Sequence, residues 1–240
     1  MRIETIGHLK CRIIDRLPLN AKPRIVVVLC HGYGASGSDL VPIADELFDQ
    51  FTQLEDHVAF VFPEGTLTLD ELGLPGGRAW WAIDMVKLQL AVATGRFREM
   101  RSNRPDGLPE ARERLTETVA QLCRQMDLTT SQVVLGGFSQ GAMLTTDTTL
   151  HLHQNPAALV ALSGTLLNEA EWRTLVPNHT GLRVLQSHGT HDPILPFEAA
   201  EDLSKLLGDS GAAVEFIRFS GGHQIPFEVL ERLGVLLEGL

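Results

Sequence analysis

Six short stretches of the chain are apolar on both faces, the last less completely: Arg24–Cys30, Val58–Phe62, Gln132–Phe138, Ala157–Leu162, Leu182–Gln186 and Val214–Phe219. Strands that are apolar on both faces belong to a parallel sheet covered by helices on each side. Arg2–Ile6 and Leu9–Ile14 alternate polar and apolar residues instead, and predict an antiparallel edge. Between the runs lie stretches with helical spacing. Ser38–Phe51 puts Leu40, Ala44, Leu47, Phe48 and Phe51 on one stripe. Pro109–Met126 opens on proline and keeps Leu115, Val119, Leu122 and Met126 in step. Gln140–Leu152, Phe197–Leu207 and Pro226–Glu238 complete the set. Strands alternating with helices predict an α/β architecture, a doubly wound and mostly parallel sheet with helices on both faces, in one domain over residues 1–240. Ligands on such a sheet sit beyond the carboxyl ends of the strands.

One stretch breaks the alternation. Residues 63–107 carry six glycines, three prolines and the pair Trp80–Trp81. This is too long for a plain connection, and predicts an irregular segment folded over the active edge.

The chemistry is sought where strands end. Gln132–Phe138 runs into Gly137-Phe138-Ser139-Gln140-Gly141, a G-x-S-x-G between a strand and a helix. Glycines on either side let the backbone turn sharply enough to push the serine hydroxyl out over the next helix. A serine hydroxyl is a weak nucleophile and needs a base that a third group orients, in the chain order serine, acid, histidine. Among the acids downstream, Asp192 stands just past the strand Leu182–Gln186, in Ser187-His188-Gly189-Thr190-His191-Asp192-Pro193. The runner-up, Asp202, falls inside a helix. Of the six histidines after Ser139 only His223 follows Asp192, and it stands directly after the last strand. Two backbone donors should hold the oxyanion. One is the N–H of Gln140. The other comes from the loop after Arg24–Cys30, at Tyr33 or Gly34.

Composition narrows the partners. The 240 residues carry 30 acidic and 20 basic side chains, a net charge of −10, which disfavours a phosphate-backbone partner and hence nucleic acid. Three widely spaced cysteines, Cys11, Cys30 and Cys123, form neither a zinc pattern nor a disulfide framework. With no signal-peptide run at the N-terminus and no transmembrane segment, the expected location is the cytoplasm. His151-x-His153 lacks a third metal ligand at suitable spacing. Cys30, beside His31, is read as a buried small hydrophobe rather than a second nucleophile.

His31-Gly32-Tyr33-Gly34, Gly137–Ala142, Ser187–Phe197 and Gly221–Pro226, with the Trp-containing Gly77–Asp84, resemble the phospholipase/carboxylesterase family. That is the small-esterase branch of the α/β-hydrolases, which includes the acyl-protein thioesterases. The resemblance covers nearly the whole chain. It implies the α/β-hydrolase fold, a triad of Ser139, Asp192 and His223, oxyanion donors at Tyr33 and Gln140, and Trp81 lining an acyl groove. The expected activity is a serine carboxylesterase acting on a small-molecule acyl ester, with an acyl-thioesterase or lysophospholipase as alternatives, so that the substrate could be lipid-like or an acylated protein. Such a mechanism needs no cofactor and no metal. A silent hydrolase fold that only binds is the non-enzymatic alternative. Lys87–Asp106 lies outside the motifs that carry the resemblance. Its Arg96, Arg98, Arg101 and Arg104 are expected to form a solvated charged face, with a site for an anionic head group as the other reading.

Overall fold

The computed structural model describes residues 1–19 and 21–240. Strands β1 (Arg2–Ile6) and β2 (Leu9–Asp15) form a hairpin, followed by β3 (Ile25–Cys30), α1 (Pro42–Gln50) and β4 (Val58–Pro63). The long segment then carries the two-residue strands β5 (Leu67–Thr68) and β6 (Arg78–Ala79) and the helices α2 (Met85–Ala93) and α3 (Phe97–Arg101). After α4 (Leu108–Met126) the alternation is regular: β7 (Val133–Phe138), α5 (Gln140–His151), β8 (Ala158–Leu162), α6 (Glu169–Leu175), β9 (Arg183–Gly189), α7 (Phe197–Asp209), β10 (Ala213–Phe219) and α8 (Phe227–Glu238).

Eight strands form one sheet in the order β1-β2-β4-β3-β7-β8-β9-β10. The β1/β2 and β2/β4 pairs are antiparallel and all others are parallel. The alternating hairpin therefore lies at an edge, and the doubly apolar runs lie inside. Successive residues explain why. Val27 and Leu29 of β3 and Phe60 and Phe62 of β4 face one side, where α1 contributes Leu47 and Phe48 and α8 contributes Val229 and Leu233. Val26, Val28 and Cys30, with Ala59 and Val61, face the other, against Leu115 and Leu122 of α4 and Met143 and Leu144 of α5. Further along that second face, Trp172 of α6 and Leu203 and Leu207 of α7 pack on Leu159 and Val184. Both pleats of β3, β4, β7 and β8 are buried, and these strands are apolar on both faces, whereas β9 buries Gln186, Ser187 and His188 at its end.

The chain runs from β3 to β4 on one side and later to β7 on the other. Its sheet order thus reverses at β3, and the loops after β3 and β7 leave neighbouring strands in opposite directions. Leu29 pairs with Gly136 and Cys30 with Gly137, which fixes those two loops side by side.

The segment 63–107 was expected to be irregular. It instead contains the β5/β6 hairpin and the helices α2 and α3. Helix α2 (MVKLQLAVA) has no clear polar face, and α3 is barely more than a turn, so neither stands out by periodicity.

Candidate active site

Ser139 sits between β7 and α5 with φ 54° and ψ −115°. For a residue with a side chain this conformation costs about 1–3 kcal/mol, held in place by the surrounding structure. The anchors are visible. Ser139 N–H donates to Leu162 C=O at 2.9 Å, and its own C=O accepts from Met143 N–H at 3.1 Å. The flanking glycines are steric necessities. A Cβ on Gly137 would come within 2.6 Å of the Cys30 carbonyl oxygen, and one on Gly141 would collide with the carbonyls of Cys30 and His31.

The loop after β3 lies against this turn. A Cβ on Gly32 would stand 3.4 Å from Ser139 Cβ. The N–H of Gly34 is already bonded to Arg78 C=O at 2.9 Å, and that of Ala35 to Gly32 C=O at 3.3 Å. The N–H of Tyr33 has no such acceptor among the described residues. Of the two donors that the sequence left open, Tyr33 is therefore the one available to a ligand. The N–H of Gln140, in the first turn of α5, has no acceptor among the described residues, and the helix dipole there favours negative charge.

Buried contacts hold this loop in shape. His31 Nε2 accepts the N–H of Gly65 at 3.0 Å, so its proton lies on Nδ1, which donates to Gly32 C=O at 2.8 Å. Burial lowers the His31 pKa, which keeps the ring neutral. Trp80 Nε1 donates to His31 C=O at 2.8 Å. The side chain of Gln140 also clamps the tryptophan pair: Oε1 accepts from Trp80 N–H at 3.0 Å, and Nε2 donates to Trp81 C=O at 2.8 Å. The two tryptophans divide their tasks. Trp80 packs on His31, whereas Trp81 lines the cavity beside Ser139.

The acid and the histidine come from neighbouring strand ends. The loop after β9 is zipped to the loop after β10 by Thr190 N–H to Phe219 C=O at 2.9 Å and His191 N–H to Gly221 C=O at 3.0 Å. Asp192 Oδ1 accepts the N–H groups of Ile194 (2.8 Å) and Leu195 (3.0 Å). Asp192 Oδ2 accepts His223 Nδ1–H at 2.6 Å. Burial pushes this carboxyl up, but hydrogen bonds from His188, His223 and the Leu195 N–H outweigh it and hold the group well below the usual carboxylate range. Asp192 is thus ionised, and His223 Nε2 makes no hydrogen bond among the described residues. Ser139 and His223 line the same cavity, with no hydrogen bond joining them among the described residues. Such contacts often close only when substrate is bound.

That cavity has a volume of about 910 Å³. Its apolar wall includes Trp81, Ile83, Leu88, Phe97, Met143 and Leu167. Residues of α2 and α3 line the same cavity as Ser139. Here one expectation is corrected. Arg101 is not solvated: it is 5% exposed, with Nη2 2.7 Å from Asp202 and Nε 3.4 Å from Glu169. A guanidinium leaves water only when carboxylates replace its hydration, and α6 and α7 each provide one. Arg96 and Arg98 are exposed as expected, and Arg96 and Arg104 border the cavity. Asp202, the runner-up acid of the sequence, is engaged by Arg101.

Other candidates have structural partners. His151 contacts the Asp147 C=O (2.8 Å) and Glu171 (3.3 Å). Burial pushes the Cys11 thiol up to about 12 and that of Cys30 well above its ordinary value, so neither is a thiolate near neutral pH. The sequence reading missed the clamp made by the Gln140 side chain, the cavity wall on α2 and α3, and His188. The last stands in the same motif as Asp192, four residues before it. That spacing was the available signal.

The Phospholipase/Carboxylesterase family pattern matches residues 18–238. The chain is 27% identical to an acyl-protein thioesterase 1 of Kluyveromyces lactis over 199 residues, 80% of each protein. It is 24% identical to one of Neurospora crassa over 225 residues, 90% of this chain and 87% of that protein. In structure it is similar to esterase PE8, with a TM-score of 0.79, 27% identity, and coverage of 96% of this chain and 98% of the other. The Bacillus cereus carboxylesterase shares the fold, with a TM-score of 0.71 at 19% identity over 96% of this chain and 94% of the other.

Proposed function

The chain belongs to the phospholipase/carboxylesterase family of serine hydrolases, and from that premise we propose how its residues cleave an acyl ester. Ser139 Oγ attacks the acyl carbonyl carbon while His223 Nε2 takes the hydroxyl proton. Charge moves to the carbonyl oxygen, which the N–H groups of Gln140 and Tyr33 hold. Each such donor typically contributes about 2.7–4 kcal/mol to the transition state. The tetrahedral species collapses, the bond to the leaving oxygen breaks, and His223 returns its proton to that oxygen. Water then attacks the acyl-Ser139 ester. His223 takes one of its protons and hands it to Ser139 Oγ as the acid leaves. Asp192 stays ionised throughout, orienting His223 and stabilising its protonated form.

The observation that carries this reading is the short Asp192–His223 bond beside a serine held at a strained strand-to-helix turn over one cavity. The acyl group would lie along Trp81 and the other apolar side chains of the cavity, which suits a hydrocarbon chain. A thioester of an acylated protein is the second reading, favoured by the names of the relatives at 24–27% identity. We place the enzyme in a reducing compartment, the cytoplasm, on the support of its three free cysteines. Matched oxyester and thioester substrates with the same acyl chain test the choice. Oxyester turnover equal to or faster than thioester turnover supports the carboxylesterase reading, and a thioester preference of about tenfold or more replaces it with the thioesterase one. Either activity should fall to background in Ser139→Ala.

A further inference from the structure

We propose that His188 is a positioning residue for the Asp192–His223 pair, donating its Nε2–H to the same carboxylate oxygen that receives His223. The proposal rests on the assignment of Asp192 and His223 made above.

His188 is the last residue but one of β9 and is completely buried. Its Nε2 lies 2.9 Å from Leu195 C=O and 3.3 Å from Asp192 Oδ2. A carbonyl and an ionised carboxylate can only accept, so the proton must lie on Nε2 and be shared between the two. Nδ1 has no hydrogen-bond partner among the described residues. A buried ring nitrogen without a partner costs free energy, and the ring's aromatic neighbour, Phe197 at 6.2 Å between centroids, offers it no hydrogen-bonding group. An apolar side chain would fill this place without that cost. What only the imidazole supplies is a donor placed between the Leu195 carbonyl and Asp192.

The consequence lies at the carboxylate. Its side chain is fully buried; its two oxygens accept three hydrogen bonds, from Ile194 N–H, Leu195 N–H and His223, and His188 Nε2 stands 3.3 Å from Oδ2. The two backbone donors fix Oδ1 only. His188 Nε2 is the other side-chain nitrogen close to Oδ2 among the described residues, and it is tied to Leu195, whose N–H binds Oδ1. The imidazole thus bridges the carboxylate and the turn that carries it. When His223 takes the proton of Ser139, the carboxylate must not rotate out of line. His188 restrains that rotation without touching substrate, since it lies outside the cavity lining.

The test compares His188→Phe, His188→Gln and His188→Leu on one p-nitrophenyl ester, with kcat and KM measured separately. His223→Ala and Asp192→Asn serve as references. Phe keeps the ring and loses the donor, whereas the Gln amide reaches about as far as Nε2. His188→Phe should lower kcat by about 10- to 100-fold, a typical loss for a partner that orients a functional ligand, with KM within about twofold of wild type. His188→Gln should recover kcat to within about fivefold of wild type. Wild-type kcat in a folded His188→Phe overturns the proposal. If His188→Phe does not fold, Gln and Leu decide: kcat at least about tenfold higher in Gln supports the donor role, and a smaller difference overturns it. The references keep the two ideas apart. Retained activity in His223→Ala and Asp192→Asn refutes the pair itself, whereas their loss beside a fully active His188→Phe refutes only the role of His188.

Discussion

Ser139 and Arg101 line the same cavity from two sides, and they are held there by different kinds of structure. Ser139 is fixed by backbone: a parallel strand ends beneath it, a helix begins at it, and Gly137 and Gly141 leave the chain no other path. Arg101 is fixed by side chains. It ends a five-residue helix and reaches Glu169 and Asp202 on two separate helices. The first arrangement holds the proposed nucleophile by backbone hydrogen bonds and by glycines with no room for a side chain. The second sets the position of a wall, which can shift without disturbing the strand ends. Under the proposed mechanism, chemistry on one side and substrate fit on the other should be separable by mutation.

The largest expected effects are on the strand side. Asp192→Asn should keep the fold and lower kcat by about 10⁴-fold, because an amide in that place no longer sets the tautomer of His223. Steady-state kinetics with a melting curve checks both halves of that statement. Gly141→Ala should affect folding as much as activity, since the added methyl meets the Cys30 and His31 carbonyls. Soluble yield and circular dichroism read the outcome, and a normal melting temperature would show the turn to be less constrained than described. On the wall side the effects should be smaller and of another kind. Arg101→Met removes a guanidinium that is nearly buried between two carboxylates, and Glu169 keeps Arg173 at bonding distance. The expected loss is about 1–2 kcal/mol, or roughly 2–8 °C in melting temperature. Turnover of an acetyl ester should stay within about threefold of wild type, while KM for octanoyl and longer esters should change more. A uniform fall in kcat at every chain length would erase the distinction between wall and strand ends. Arg98→Ala, on an exposed side chain outside the cavity lining, should leave melting temperature, kcat and KM unchanged.

The same contrast decides what could be read from the sequence. The strands of the sheet were legible because both of their faces are buried, and the observed bounds of β3, β4, β7 and β8 lie within a residue of those expected. The residues the reading chose as Ser139, Asp192 and His223 follow β7, β9 and β10, where a doubly wound sheet places its ligands. The choice between Tyr33 and Gly34 was not legible from composition, since it depends on which amide Arg78 consumes. Arg101 could not be told from Arg96, Arg98 or Arg104. Its burial comes from two carboxylates far along the chain, and no local pattern records them. Helices α2 and α6 were missed for simpler reasons: one is apolar on every side, and the other has only seven residues.

The central claim is that the turn at Ser139 presents an activated nucleophile to His223 across the cavity. Treatment of the wild type and of Ser139→Ala with a fluorophosphonate, followed by peptide mapping, tests it most directly. A single modified peptide carrying Ser139 in the wild type, and no adduct in the variant, is the predicted result. A folded wild type that remains unmodified, or an adduct on another residue, would contradict it.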